Sequence, residues 1–363
     1  MKTIIQTTAV LFIIFFTAFS CKKGIPHSGV PKVTTYATGF DNPRGLKFGP
    51  DGYLYVAEAG LGGEAKTTKS CDGITPPGVL GSPTGGSISK VSSGGIRTIV
   101  TNKLPTSTDP FGSISGVSDV AFLGNTLYAL ISGGACENGV PDVPNGILKI
   151  NSSESYSIIA DLGTWQHAHP VANPPLDFAP DGLWYSMVNV GNAFYALDAN
   201  HGELVKVTTG GTITRVVDFS KNYGHIVPTA IDFRGNFYVG SLGVFPIVDG
   251  SQHIYKVTPA GQVSITTSGL TAILGVAYDN KDRMYVLETT TGNQFPTPGT
   301  GRIVRVHPNG LQEVIATGLS NPTAMTYGPD GNIYVSNWGF GKGEGGGEIW
   351  KVWLNDCSDW LPN

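Results

Sequence analysis

The sequence predicts an all-β protein: a six-bladed β-propeller of four-stranded antiparallel blades, its ring closed by the N-terminal strand. Three observations predict it. A four-residue marker with a basic third position recurs six times, as "ISKV" (88–91), "ILKI" (147–150), "LVKV" (204–207), "IYKV" (254–257), "IVRV" (303–306) and "IWKV" (349–352). Nearly one phrase stands at both ends, "DNPRGLKFGPDGYLYVAEAG" at 41–60 and "SNPTAMTYGPDGNIYVSNWG" at 320–339. Finally, "TTYATGFDNP" (34–43) parallels "VIATGLSNP" (314–322), whereas the tail after the last marker offers no convincing fourth strand.

Each marker alternates apolar residues around a Lys or Arg, as a strand with one solvated face requires. Successive markers begin 46 to 59 residues apart, the size of a propeller blade rather than of a helical repeat. Upstream of the markers, strands such as "GLKF", "DVAF", "AIDF", "GVAY" and "AMTY" meet a tight turn, often "GPDG", and return as "YLYVAE", "NFYVGS" or "NIYVSN". An Asp-Gly pair suits a hairpin turn because one residue there must tolerate positive φ. Each unit is thus a four-stranded meander, and radial arrays of such units are propellers. Residues 34–38 are expected to pair with 349–352 as the outermost strand of the last blade, which removes an exposed sheet edge.

The chain start reads differently. Lys2, the short apolar run "AVLFIIFF" (9–16) and the small residues before Cys21 read as a lipoprotein-type export signal over 1–20. The run is shorter than the roughly 20 residues of a membrane-spanning helix. Cys21 is then the lipidation site, 21–32 a linker, 33–356 the propeller and 357–363 a C-terminal tail. The expected location is the bacterial cell envelope, anchored to a membrane by lipid. Fifty glycines, 24 prolines and only 14% charged residues suit short strands and tight turns. A net charge of −4 with no basic run argues against nucleic acid as a partner.

In such a meander the first-to-second and third-to-fourth turns share one face, while second-to-third loops and inter-blade links share the other. Nearly all the length lies in the second set: loops 59–86, 132–146, 242–252, 289–301 and 338–347, with links 104–117 and 161–179. Long loops on a rigid scaffold are the usual layout of a binding face. Second strands end there at Glu58, Asp198, Glu288 and Asn337, among others. Innermost strands are expected to start at Arg44, Ser118 with Asp119, Asp181, Thr229, Leu274 and Thr323. These acids could converge on a central funnel to hold Ca²⁺ or act as acid and base. Equally, they could bind backbone N–H groups and tie blades together. Arg44 reads as an ion-pair anchor or a substrate clamp.

Other motifs carry less. His167 and His169 would share one side of a strand, but a metal site needs a further ligand. "GFGKGEGGG" (339–347) lacks the following helix of a phosphate loop. No Gly-x-Ser-x-Gly elbow or Cys/His nucleophile pairing appears. Cys71 and Cys136 fall in corresponding loops of adjacent blades, which predicts a disulfide in an exported chain and leaves Cys357 over.

At these residues the chain resembles the ScyD/ScyE family of exported proteins. The resemblance rests on "GFDNPRGLKFGPDGYLYVAEAGLGG" (39–63), "GVSDVAF" (116–122), "VPTAIDF" (227–233), "YVGSLGVFPIVDGSQHIYKV" (238–257), "MYVLE" (284–288) and "NPTAMTYGPDGNIYVSN" (321–337), in family order. "FAPDGLWY" (178–185) departs from the family pattern, so Asp181 is not carried over as a family residue. The resemblance implies a propeller akin to the NHL and gluconolactonase-like groups, and no established mechanism. The expected function is binding of a small molecule, glycan or protein partner on the long-loop face. The alternative is a metal-assisted, lactonase-like hydrolase at the central funnel, for which Asp181 alone of the gluconolactonase set has a counterpart.

Overall fold

The computed structural model describes residues 32–176 and 179–354. Cys21, Cys357, the signal and most of the linker lie outside the described residues. Six antiparallel sheets follow one another along the chain. Five contain four strands, and the ring is a six-bladed β-propeller. The last blade is composite: its outermost strand is Val33–Phe40, antiparallel to Gly347–Val352, with Thr34 opposite Lys351 and Ala37 opposite Ile349. The predicted closure is therefore present. Thr323 Oγ1 donates to the Pro43 carbonyl at 2.6 Å and Ser336 Oγ to the Arg44 carbonyl at 2.6 Å, fastening the last blade's inner strands to the first.

The core follows from the alternation in the strands. Buried side chains gather into six clusters, one between each pair of neighbouring blades. Phe40, Leu46, Leu54, Val91, Tyr334 and Ile349, for example, fill the seam where the ring closes. Burying apolar area at roughly 25 cal/mol per Å² makes each seam a separate source of stability.

Two local features differ from the sequence expectation. The first blade gains a fifth strand, Ile114–Ser115, and its outer strands are extended, Leu80–Val91 and Arg97–Thr108. Part of loop 59–86 and of link 104–117 is thus strand, standing up from the long-loop face. His167 and His169 lie on and just after a short helix, Leu162–Ala168, not a strand. Asp161 caps it, accepting from Thr164 N at 2.8 Å. His169 Nδ1 sits 2.9 Å from the Trp165 carbonyl, and its ring stacks on Trp165.

Cys71 and Cys136 form the expected disulfide, with Cα atoms 5.6 Å apart. Lys69 N donates to the Gly139 carbonyl and Thr75 Oγ1 to the Cys136 carbonyl, so the bridge belongs to a hydrogen-bonded join between two long loops.

Candidate functional site: a bowl on the long-loop face

The axial channel is nearly shut. Its walls come from the innermost strands of all six blades and leave about 20 Å³, room for about one water. Asp119 is the plug. Its carboxylate accepts from Val120 N (2.8 Å), Met187 N (2.9 Å) and Ser186 Oγ (3.1 Å). Gly45 makes room for it: a Cβ there would stand 2.0 Å from Asp119 Oδ1. Burial pushes the Asp119 carboxyl up from its ordinary pKa, with Lys47 and these hydrogen bonds pulling the other way.

Above the plug the long loops enclose a bowl of about 520 Å³, lined from every blade. Its floor is set by a repeated backbone device. Asn42, Val227, Ala272 and Asn321 have left-handed φ of 54°, 53°, 42° and 44°. Each precedes by two residues the side chain that meets the axis: Arg44, Thr229, Leu274 and Thr323. In these four blades the sharp bend delivers one residue to the centre, and Ser118 and Tyr185 reach it without such a bend. Arg44, Ser118, Tyr185, Leu274 and Thr323 line the bowl, while Thr229 lines the channel beneath. The walls are apolar, with Ile114, Leu183, Leu242, Phe245, Pro296 and Phe340. Phe111 completes the rim at the tip of link 104–117, 94% exposed. Asp109 fixes that tip by accepting from Phe111 N and Ser113 N, both at 2.8 Å.

Arg44 is the single charged side chain in the lining. Its Nη1 donates to the Gly339 carbonyl and its Nη2 to the Ile114 carbonyl, each at 2.9 Å. These bonds tie the last blade to the raised edge of the first. No carboxylate among the described residues forms an ion pair with it. Burial lowers the guanidinium pKa, opposed only by Tyr185. The Tyr185 hydroxyl donates to the Thr323 carbonyl at 3.3 Å, and burial raises its pKa.

The other candidates lie elsewhere. Glu58, Asp198, Glu288 and Asn337 do end equivalent strands and are fully buried, but none lines the bowl or the channel. Each accepts a backbone N–H from the link entering its own blade: Asp41 N to Glu58 (2.8 Å), Leu183 N to Asp198 (3.1 Å), Thr271 N to Glu288 (2.5 Å) and Ser320 N to Asn337 (2.8 Å). Arg97 completes Glu58, Arg302 completes Glu288, and His201 Nδ1 lies 2.6 Å from Asp198. They are braces between blade and link. Burial raises the Glu58 carboxyl pKa, with Arg97 opposing.

Asp181 does not start the third innermost strand, which runs Trp184–Val190, and Tyr185 takes the floor position instead. Asp181 instead faces a neighbouring blade's loop. Its carboxylate lies 2.9 Å from His167 Nε2 and accepts from Glu137 N at 2.8 Å, while Asp181 N donates to Glu137. Burial, with Asp181 and Asp198 nearby, pushes the Glu137 carboxyl up to about 8.

Among the described residues no group of three or more His, Cys, Asp or Glu side chains is placed to hold a metal ion. The axial lining offers one carboxylate, Asp119, already bound to three donors. This donor set does not fit Ca²⁺, which takes 6 to 8 oxygens in its shell.

No protein-family model matches the chain, and no curated protein matches it. Solved structures do. A Bacteroides thetaiotaomicron protein of unknown function superposes with a TM-score of 0.56 at 11% identity, over 90% of this chain and 76% of its own. A Xanthomonas campestris gluconolactonase gives a TM-score of 0.54 at 9% identity, over 90% of each chain. A Thermus thermophilus protein described as an oxidoreductase of glucose dehydrogenase type gives 0.54 at 14%, over 89% of this chain and 99% of its own. The fold is that of the NHL and gluconolactonase-like six-bladed propellers. At these identities the likeness concerns fold alone, since one propeller scaffold hosts many activities.

Proposed function

We propose that this chain is an exported, lipid-anchored propeller of the ScyD/ScyE type that binds a small molecule in the long-loop bowl. One observation carries the binding reading: an apolar concavity of about 520 Å³ on the long-loop face, lined from all six blades at the axis. That volume is within the range of small-molecule sites, about 300–1,000 Å³. A concavity of this volume favours a small ligand over a flat protein surface. Export is supported by the signal-like start, the Cys21 motif and a disulfide, which suits an oxidising compartment.

The alternative, a lactonase-like hydrolase, is supported by the shared fold with the Xanthomonas gluconolactonase. The bowl, however, supplies no carboxylate, and Asp119 lies below its floor. Binding is therefore the better reading.

The test has two parts. Leu183→Arg, which fills the bowl wall with a charged stem, is expected to abolish the melting-temperature rise that bowl ligands give the native protein. An undiminished rise would move binding elsewhere. Cys21→Ala is expected to release the protein from membranes into the soluble fraction while leaving its melting temperature unchanged. Fractionation identical to the native protein would leave a plain signal peptide.

A further inference from the structure

We propose that the bowl selects a flat apolar molecule carrying one carboxylate, with the carboxylate seated on Arg44 and the apolar body held between the aromatic walls. The inference rests on the bowl being the binding site, and adds the chemistry of what fills it.

The floor is electrically unbalanced. The Arg44 guanidinium has five N–H donors, and two of them go to carbonyl oxygens. Carbonyls fix its orientation without cancelling its charge, and no acid in the lining does so. The other buried arginine contacts are built differently. Arg97, Arg215 and Arg302 each meet a fully buried glutamate: Glu58, Glu203 and Glu288. Arg44 is thus an exception to the chain's own rule for arginines at the blade ends. A cation held in an apolar bowl is costly unless an anion joins it, and a carboxylate matches the guanidinium fork in two parallel hydrogen bonds. Burial acts in the same direction, since it lowers the Arg44 pKa and an incoming anion would reverse that.

The walls define the rest of the ligand. Phe245 lines the bowl and stacks with Phe295 behind it, 5.7 Å between ring centroids, which backs the wall with a second ring. Phe111 is a second aromatic residue of the lining, on a tip pre-set by Asp109. Arg44 alone supplies charge, so the lining has a place for one anionic group, while the neutral side chains of Asn42, Ser118 and Ser132 can meet a hydroxyl or carbonyl on the ligand body. The hydroxyls of Ser118 and Ser132 line the same bowl and are further donors suited to a carboxylate oxygen, whereas the Tyr185 hydroxyl already donates to the Thr323 carbonyl.

The test uses 2-naphthoate and its neutral counterpart 2-naphthamide as probes, titrated calorimetrically against the full chain and against Arg44→Lys, Arg44→Met and Phe111→Ser. The expected result is that naphthoate binds at least tenfold more tightly than naphthamide. That preference should vanish in Arg44→Met and return in part in Arg44→Lys, which also controls for the blade contacts that Arg44→Met removes. Phe111→Ser should weaken both probes about equally. If both probes bind the native protein equally and Phe111→Ser weakens both, the bowl stands and the carboxylate selection falls. If neither probe binds, or neither Phe111→Ser nor the Arg44 variants change binding, the bowl reading itself is overturned together with this inference.

Discussion

The two faces of the ring are built from the same strands by opposite rules. On the short-turn face the chain repeats one chemical sentence. Asp51 in the first "GPDG" turn accepts from Tyr55 Oη at 2.9 Å and lies 3.8 Å from Lys90 Nζ. Asp330 in the last accepts from Tyr334 Oη at 2.9 Å and from Lys351 Nζ at 2.6 Å. Asp279 does the same with Tyr285 and Arg283. On the long-loop face the repeated residues, Glu58, Asp198, Glu288 and Asn337, are likewise consumed by bracing. The residues that shape the bowl stand where the repeat is broken: Arg44 where other blades have Ser, Tyr, Thr or Leu, and Phe111 at the tip of the 104–117 link. Repetition marks scaffold, and departure from it marks the site.

The comparison can be broken most severely at a brace. Glu58→Ala leaves Arg97 unpaired and Asp41 N–H without its acceptor, so a loss of about 3–5 kcal/mol is expected in denaturant unfolding. Near-native stability would return Glu58 to the candidates for ligand contact. Next comes the loop join. Cys71→Ser frees a 65-residue separation and should cost about 2–4 kcal/mol, read as a lower melting temperature that reductant no longer changes.

A smaller, pH-dependent effect is expected at Glu137. Its carboxyl stands near 8 in the folded chain against an ordinary 4.5, so the folded state holds this proton longer than the unfolded one. The stability it contributes is complete below about 4.5 and is lost as pH rises through about 8. Glu137→Gln should therefore match the native protein at pH 4 and exceed it by roughly 1–2 kcal/mol at pH 9. That is well below the full linkage of about 5 kcal/mol because the Glu137 side chain is only half-buried. Equal melting curves at both pH values would show that the carboxyl titrates normally. The smallest effect is at the rim, where Phe111→Ser should alter stability by less than about 0.5 kcal/mol, since its side chain is exposed. A larger loss would make Phe111 part of the scaffold and remove the contrast between the faces.

Blade count, ring closure, the disulfide and the face bearing the bowl were all legible, because each follows from periodicity and turn chemistry. Side-chain direction was not. An acid ending a strand looks the same in sequence whether it faces a funnel or a backbone N–H, so Glu58 and Glu288 read as candidate ligands. Asp181 misled for another reason. "PDGL" copies the turn signal of "GPDG", yet here it belongs to the link entering the blade, which displaces the strand start to Trp184. The short helix carried a readable sign in Asp161 and Thr164, a capping pair ahead of "WQHA". The raised strands of the first blade had none, since Thr, Ser and Pro in 104–108 read as link.

Closure by the first strand also orders events in time. As the polypeptide emerges, Val33–Phe40 appears before any blade but finds its partner, Gly347–Val352, only after the last marker has been made. Until then the inner strand Pro43–Phe48 lacks the neighbour that supplies the Thr323 and Ser336 hydrogen bonds. The five other blades have all their strands within one continuous stretch and can form in turn. The seam around Phe40 and Tyr334 therefore waits for the last blade, and a chain cut short after Leu319 would carry an open apolar flank that nothing else among the described residues covers.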